Sequence, residues 1–340
     1  MRITPDQDAE ALREVVRDFL GGDATWQRFA AELGVAALDV PERLDGAGAS
    51  FREVGVVAEE IGRALSPLPW LSTSILAAGV LLHIKGSDDL RARLSSRLAS
   101  GCIATLAYQG PEVSARQDGR SWRLTGTKTL VVDGASADFL FVAGNSGVFV
   151  VEGDAEGLTR TRTPAMDLTR ELASVTLAGT PAVWLGETTL ERVLDRARVA
   201  LACEQAGGAA AALEMTVEYV RQRVQFGRPI ATFQAVKHCC ADMLGQVEAA
   251  RSASLWAAAV AADEPANLPA AAAAAAIACG DAYCWVAGET VQLHGGIGFT
   301  WEHPAHLHVR RAATDAVLFG DRGRHAETLM THAARQPATV

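Results

Sequence analysis

No apolar run in the 340-residue chain reaches the roughly 18 to 20 residues that a membrane span requires. The opening MRITPDQDAEALREVVRDFL carries charges where a secretory signal would hold its apolar stretch. Neither a membrane protein nor an exported one is expected, and the chain reads as cytoplasmic. Basic residues are also in deficit: 31 Lys and Arg stand against 40 Asp and Glu, a net charge of -9. That balance disfavours a protein that grips nucleic-acid phosphates by bulk charge. The six cysteines (Cys102, Cys203, Cys239, Cys240, Cys279, Cys284) lie in apolar segments. They lack the paired short spacings of a zinc site and the density of a secreted disulfide scaffold, and read as buried thiols. His294, His303, His306 and His308 have no nearby cysteine, so no metal is expected.

What the chain does have is apolar material, 49% hydrophobic against 21% charged, enough for packed cores and too much for disorder. Its periodicity changes twice. ALREVVRDFL, FREVGVVAEEIGRAL and STSILAAGVLLHI repeat apolar residues three and four apart, as helices do, and the proline-rich SPLPW ends the second of them. From about residue 102, CIATLAY, SWRLTGTKTLVV, DFLFVAG, GVFVVEG and ELASVTLAGTPAVWLG are short β-branched or aromatic runs between Gly and Asp turns. These predict an antiparallel β region. From 190 onward three long helical patterns follow, and the alanine run at 270–276 favours close helix packing. The expected organisation is an α+β fold: a helical domain over 1–100, a β domain over 101–187 and a four-helix bundle over 188–340.

Three stretches of the last region stand at fixed spacing. The first is Tyr219-Val-Arg-Gln-Arg223-Val-Gln225-Phe226-Gly227, followed by Phe233-Gln234 and Ala241-Asp242-Met243. The second is Gln292-Leu-His294-Gly295-Gly296-Ile-Gly298, and the third opens the preceding helix with Arg198 through Glu204 to Gly207-Gly208. Together with LGVAALDVPERLDGAGAS and EEIGRALSPLPW near the N-terminus, they resemble the acyl-CoA dehydrogenase family over nearly the whole chain.

The resemblance implies FAD lying extended at a subunit interface. Arg223 would reach the pyrophosphate of the neighbouring subunit's FAD with its planar fork. Gln225, Phe226 and Gln234 would line the same stretch, and Gln292, Gly295 and Gly296 would bring backbone close to the adenosine diphosphate half. Taken alone, Arg223 would read as a solvated charge at a helix end; the combined motif reverses that reading.

The departures from the family pattern are equally informative. Where the family carries Gly-Thr-Lys-x-Trp-Ile-Thr-Asn-Gly beside the flavin ring, this chain has Gly126-Thr127-Lys128-Thr129-Leu130-Val131-Val132-Asp133-Gly134. The aromatic and hydroxyl positions have become Leu130 and Val132. The upstream AYQGPEVSARQDG holds neither the Thr-Glu-Pro nor the Gly-Ser-Asp element of the family. The glutamate that takes the substrate α-proton usually follows a Tyr in a Tyr-Glu-Gly-Thr loop, and Gly320 occupies its position here; at the alternative position, before Arg198, stands Ala197.

Two carboxylates remain as substitutes: Asp321, beside the vacant position, and Glu204, two turns along the helix from Ala197. The plainer readings are a loop or cap carboxylate for Asp321 and a polar group satisfied inside the bundle for Glu204. The pattern therefore resembles the short partner subunit of actinobacterial heterotetrameric steroid acyl-CoA dehydrogenases. That resemblance implies an acyl-CoA substrate, a homologous partner subunit that bears the base, and an electron-transfer flavoprotein as acceptor. A self-sufficient homo-oligomer using Glu204 or Asp321, and a flavin-free scaffold of the same fold, are the alternatives.

Overall fold

The computed structural model describes residues 1–119 and 121–335. Helices α1 (Gln7–Leu20), α2 (Trp26–Leu33), α3 (Phe51–Arg63), α4 (Ala78–His83) and α5 (Asp88–Ala99) precede the strands. Asp6 caps α1 by accepting from the Ala9 N–H, and Ser50 and Glu53 form a reciprocal capping box on α3. Leu71–Ala77, expected as ordinary helix, is wound as a fully buried π-helical turn that leads into α4.

The strands are β1 (Ala104–Ala107), β2 (Ser114–Asp118), β3 (Ser121–Val132), β4 (Phe139–Gly144), β5 (Gly147–Glu152), β6 (Leu158–Thr163) and β7 (Leu172–Gly186). They form one sheet in the order β1-β4-β5-β7-β3-β2, with β6 on β7. The sheet is mixed, which corrects the antiparallel expectation: β1 runs parallel to β4, Ala104 opposite Phe139. Every other strand pair of this sheet is antiparallel.

The C-terminal part is built on α6 (Leu190–Gln222), a hairpin of β8 (Val224–Gln225) and β9 (Arg228–Pro229), α7 (Gln234–Asp263) and α8 (Leu268–His294). The shorter α9 (Ala305–Asp315) and α10 (Arg322–Arg335) pack on α8. Leu268–Phe299 is long and apolar enough by composition to cross a bilayer, a stretch the residue-by-residue reading passed over. It is packed against α6 and α7 and mostly buried, as a core helix is.

Glycine sets how closely α3 and α6 approach. A Cβ on Gly62 would lie 1.9 Å from the Glu204 carbonyl oxygen, and one on Gly207 would lie 1.9 Å from that of Glu59. Only hydrogen fits at either position. One core joins the N-terminal helices to α6, α7 and one face of the sheet; a second lies on the sheet's other face, and a third sits between α6, α7 and α8.

Candidate functional site

The long helix α6 ends where Arg223 turns to extended backbone, its N–H donating to the Tyr219 carbonyl at 2.9 Å. The hairpin that follows turns on Phe226 (φ 55) and Gly227 (φ 75). Two successive positive φ angles match the twist of a two-residue hairpin, but they are strained for a phenylalanine. Phe226 is nevertheless 90% exposed, its ring meeting that of Phe233 edge-on with centroids 5.9 Å apart. A strained backbone that holds an aromatic ring out of the protein gains nothing from its own fold.

Residues 221–229 are all exposed, and the Arg223 guanidinium has no hydrogen-bond or ion-pair partner among the described residues. The Gln225 side chain bonds the neighbouring Val224 carbonyl, and that of Gln234 bonds His238. At the end of α8, Gln292, Gly295 and Gly296 are exposed as well. Gly295 adopts φ 62, which favours glycine; at Gly296 an added Cβ would meet nothing within 4 Å and the φ is unstrained. The chain's own packing thus leaves open space at Gly296. An unpaired fork at the end of α6 and an open glycine turn at the end of α8 are features suited to an anion supplied from outside.

The inner cleft is built differently. Lys128 is buried, its Nζ donating to the carbonyls of Tyr108 and Pro111 at 3.1 and 3.0 Å, which ties down the loop after β1. From that loop Gln109 donates to the Leu318 carbonyl at 3.2 Å, and Arg198 donates to the Phe319 carbonyl at 3.0 Å. Leu318 and Phe319 are buried. The loop after β1 and the loop around Gly320 therefore meet directly. Leu130, at φ 51, is exposed, and Val132 is buried with its carbonyl accepting from Thr105 at 2.6 Å.

Asp321 is exposed and accepts from the Arg324 N–H at 2.8 Å, capping α10. Glu204 is 1% exposed; its Oε1 accepts from Arg170 at 2.6 Å and from Arg311 at 2.8 and 2.6 Å. Burial works to raise its pKa, yet the two guanidiniums prevail and hold the carboxyl below its ordinary range. Asp315, 3.1 Å from Arg170, goes the other way: burial pushes it up to about 7 against the pull of Arg170. Sequence reasoning singled out Glu204 but missed its partners, which lie 34 and 107 residues away in the chain.

Burial also pushes the Asp133 carboxyl up to about 6, opposed by the Ser72 hydroxyl that donates to it at 2.6 Å. An unfolded aspartate ionises near 3.9. Between about pH 4 and 6 the folded chain keeps a proton that the unfolded chain releases, so stability falls as pH rises through that window. Asp133→Asn, which restores the amide of the family pattern, is expected to raise the unfolding free energy at pH 7.5 by on the order of 2 kcal/mol and to change it little at pH 4. Denaturant titration at both pH values checks this; equal changes at the two would contradict it.

Residues 186–334 match the family described as acyl-CoA dehydrogenase, C-terminal domain, and residues 21–102 match acyl-CoA dehydrogenase, N-terminal domain. The chain is 36% identical over 314 residues to acyl-CoA dehydrogenase IpdE2 of Mycolicibacterium smegmatis, covering 92% of this chain and 88% of the relative. The chain belongs to the acyl-CoA dehydrogenase family. Among solved structures it is similar to a chain of the ChsE4–ChsE5 complex from Mycobacterium tuberculosis, with a TM-score of 0.90 and 26% identity over 99% of this chain and 100% of that one. It is also similar to a variant of the Tcur3481–Tcur3483 steroid ACAD, with a TM-score of 0.86 and 30% identity over 97% of this chain and 99% of that one.

As an acyl-CoA dehydrogenase it is an oxidoreductase whose cofactor is FAD. The outward set fits that group: a free guanidinium, an exposed aromatic and a glycine turn with open space are what an extended dinucleotide needs. The inner cleft does not fit it. Leu130 and Val132 offer a flavin ring neither an aromatic face nor a hydroxyl.

Proposed function

We propose that this chain is the supporting subunit of a heteromeric FAD-dependent acyl-CoA dehydrogenase, one that lacks the catalytic base and completes its partner's FAD site across the interface. One asymmetry carries the reading. The residues that would face a neighbour's cofactor stand exposed, the Arg223 guanidinium without a partner among the described residues, whereas the cleft that would hold this chain's own flavin has Gly320 at the base position and Leu130 and Val132 in place of the family's aromatic and hydroxyl residues. The relatives point the same way, since ChsE4–ChsE5 is a two-chain complex and Tcur3481–Tcur3483 a steroid ACAD. A bulky steroid-derived acyl-CoA is the substrate class this supports, with an electron-transfer flavoprotein as acceptor and the cytoplasm as location.

In that assembly Arg223 would hold the pyrophosphate through paired N–H donors, and Gln225, Phe226 and Gln234 would line the cofactor beside it. Gln292, Gly295 and Gly296 would bring backbone against its adenosine diphosphate half. Bound FAD supplies the acceptor for the substrate's β-hydrogen as hydride. The α-proton goes to a carboxylate that this chain does not provide. Glu204 is committed to two arginines, and Asp321 to the start of α10.

Removal of a general base costs about 10² to 10⁴ in rate. Glu204→Gln and Asp321→Asn are therefore each expected to leave the turnover of the assembly, per bound flavin, within a few-fold of wild type. A thousand-fold loss in folded, flavin-containing protein would favour the self-sufficient enzyme instead. Thermal melting beside the assay separates lost chemistry from lost folding, because neutralising Glu204 leaves two buried guanidiniums short of a countercharge.

A further inference from the structure

The two segments that this reading brings to the partner's FAD come from different helices: Arg223 ends α6, and Gln292–Gly296 ends α8. Tyr219 joins them. It lies one turn before Arg223 and receives that residue's N–H on its own carbonyl at 2.9 Å. Its hydroxyl donates to the His294 carbonyl at 3.2 Å, and its ring stacks on the His294 imidazole with centroids 4.2 Å apart and planes 23° apart.

His294 is buried and is itself fixed, Nδ1 donating to the Thr290 carbonyl at 2.7 Å and the ring packing on His303 at 4.4 Å between centroids. His303 in turn accepts from the Ala305 N–H at the start of α9. One turn deeper, the Thr216 hydroxyl donates to that of Thr290 at 3.0 Å. The peptide between His294 and Gly295 is therefore held on both sides, by Tyr219 on its carbonyl and by the Gln292 carbonyl on its N–H.

We infer that Tyr219 is a positioning residue: through His294 it locks the Arg223 end of α6 against the glycine turn, so that FAD meets a clamp already set. The inference rests on the proposed role of Arg223. Its physical basis is preorganisation, since ordering two independent segments at the moment of binding would cost affinity. Tyr219 touches no reacting atom, so its effect falls on retention of the cofactor and not on chemistry once the cofactor is bound.

The test uses the native assembly, isolated through a tag on this chain, with FAD as the titrated probe. Tyr219→Phe keeps the ring and loses one neutral hydrogen bond, and is expected to weaken FAD binding about two- to ten-fold. Tyr219→Ala also loses the stack and should weaken it further. In Tyr219→Phe the flavin-free melting temperature stays within about 2 °C of wild type, and excess FAD restores full turnover; a merely structural role would instead lower melting in step with affinity and leave turnover unrestored. Should Tyr219→Ala fail to fold, Tyr219→Phe decides alone. Wild-type FAD affinity in the tyrosine variants, with Arg223→Ala losing its flavin, overturns this inference and leaves the functional reading standing. Wild-type retention in Arg223→Ala overturns both.

Discussion

Arg223→Ala is expected to strip most of the flavin from the assembly during purification. Two parallel charge-assisted bonds to a pyrophosphate are among the stronger polar contacts a protein makes, each worth about 1.5 to 3 kcal/mol. Their loss corresponds to roughly a hundred-fold or greater weakening. Within the hairpin itself the other arginine, Arg228, lies over the ring of Phe233 at 4.3 Å. Arg223→Lys should recover only part of the loss, since an ammonium cannot form the fork. The bound absorbance of flavin per protein is the measurement. Because the Arg223 guanidinium has no partner among the described residues, the folded stability of the flavin-free protein should not change. A large loss of stability would mean that the residue serves the fold and not the cofactor.

The second large effect is structural. Arg311 is 2% exposed and bonds Glu204 through Nε and Nη2 and the Thr169 hydroxyl through Nη1 at 2.6 Å. Arg311→Met fills much of the same volume but leaves Glu204 facing Arg170 alone, with Asp167 and Asp315 beside it. Breaking a buried pair in this way costs about 3 to 5 kcal/mol, because the surviving charge keeps its desolvation penalty without its countercharge. An internal comparison is available in Arg322→Ala, which removes an exposed pair with Asp281 at 3.0 Å and is expected to cost under about 1 kcal/mol. Denaturant unfolding of both variants checks the contrast. Equal effects would mean that the cluster is not holding the β6–β7 loop, α6 and α9 together.

Much of the architecture was legible because it repeats. The 3.6-residue pattern marked α6, α7 and α8 to within a few residues, and β-branched runs marked β3, β4, β5 and β7. What escaped lacks such a pattern. β2 (SARQD) and β6 (LTRTRT) are polar and largely exposed, and carry no apolar alternation. Helix α5 is only weakly amphipathic, although Ser87, whose hydroxyl accepts from the Leu90 N–H, was a signal that could have found its start. The parallel pairing of β1 with β4 is invisible to a period of two, which reports the face of a residue and not its neighbour.

The candidate site divides along the same line. Arg223, Phe226, Gln292 and Gly296 belong to short contiguous motifs and could be read directly. The bond that joins the loop after β1 to the loop around Gly320 could not, because Gln109 and Leu318 stand 209 residues apart. The same holds for the Tyr219 to His294 contact, whose two residues come from separate helices. Substitution at Leu130, Val132 and Gly320 could show that something was missing from the family pattern.

The central claim is that this chain completes a flavin site without owning one, and flavin content tests it most directly. The chain is expressed alone and together with its co-purifying partner from the native host, and FAD is counted per protomer in each preparation. Colourless protein is expected alone, and yellow protein with the partner that is reduced on addition of its acyl-CoA. A yellow homo-oligomer whose flavin is reduced by acyl-CoA without any partner would contradict it, and so would a complex that never binds flavin.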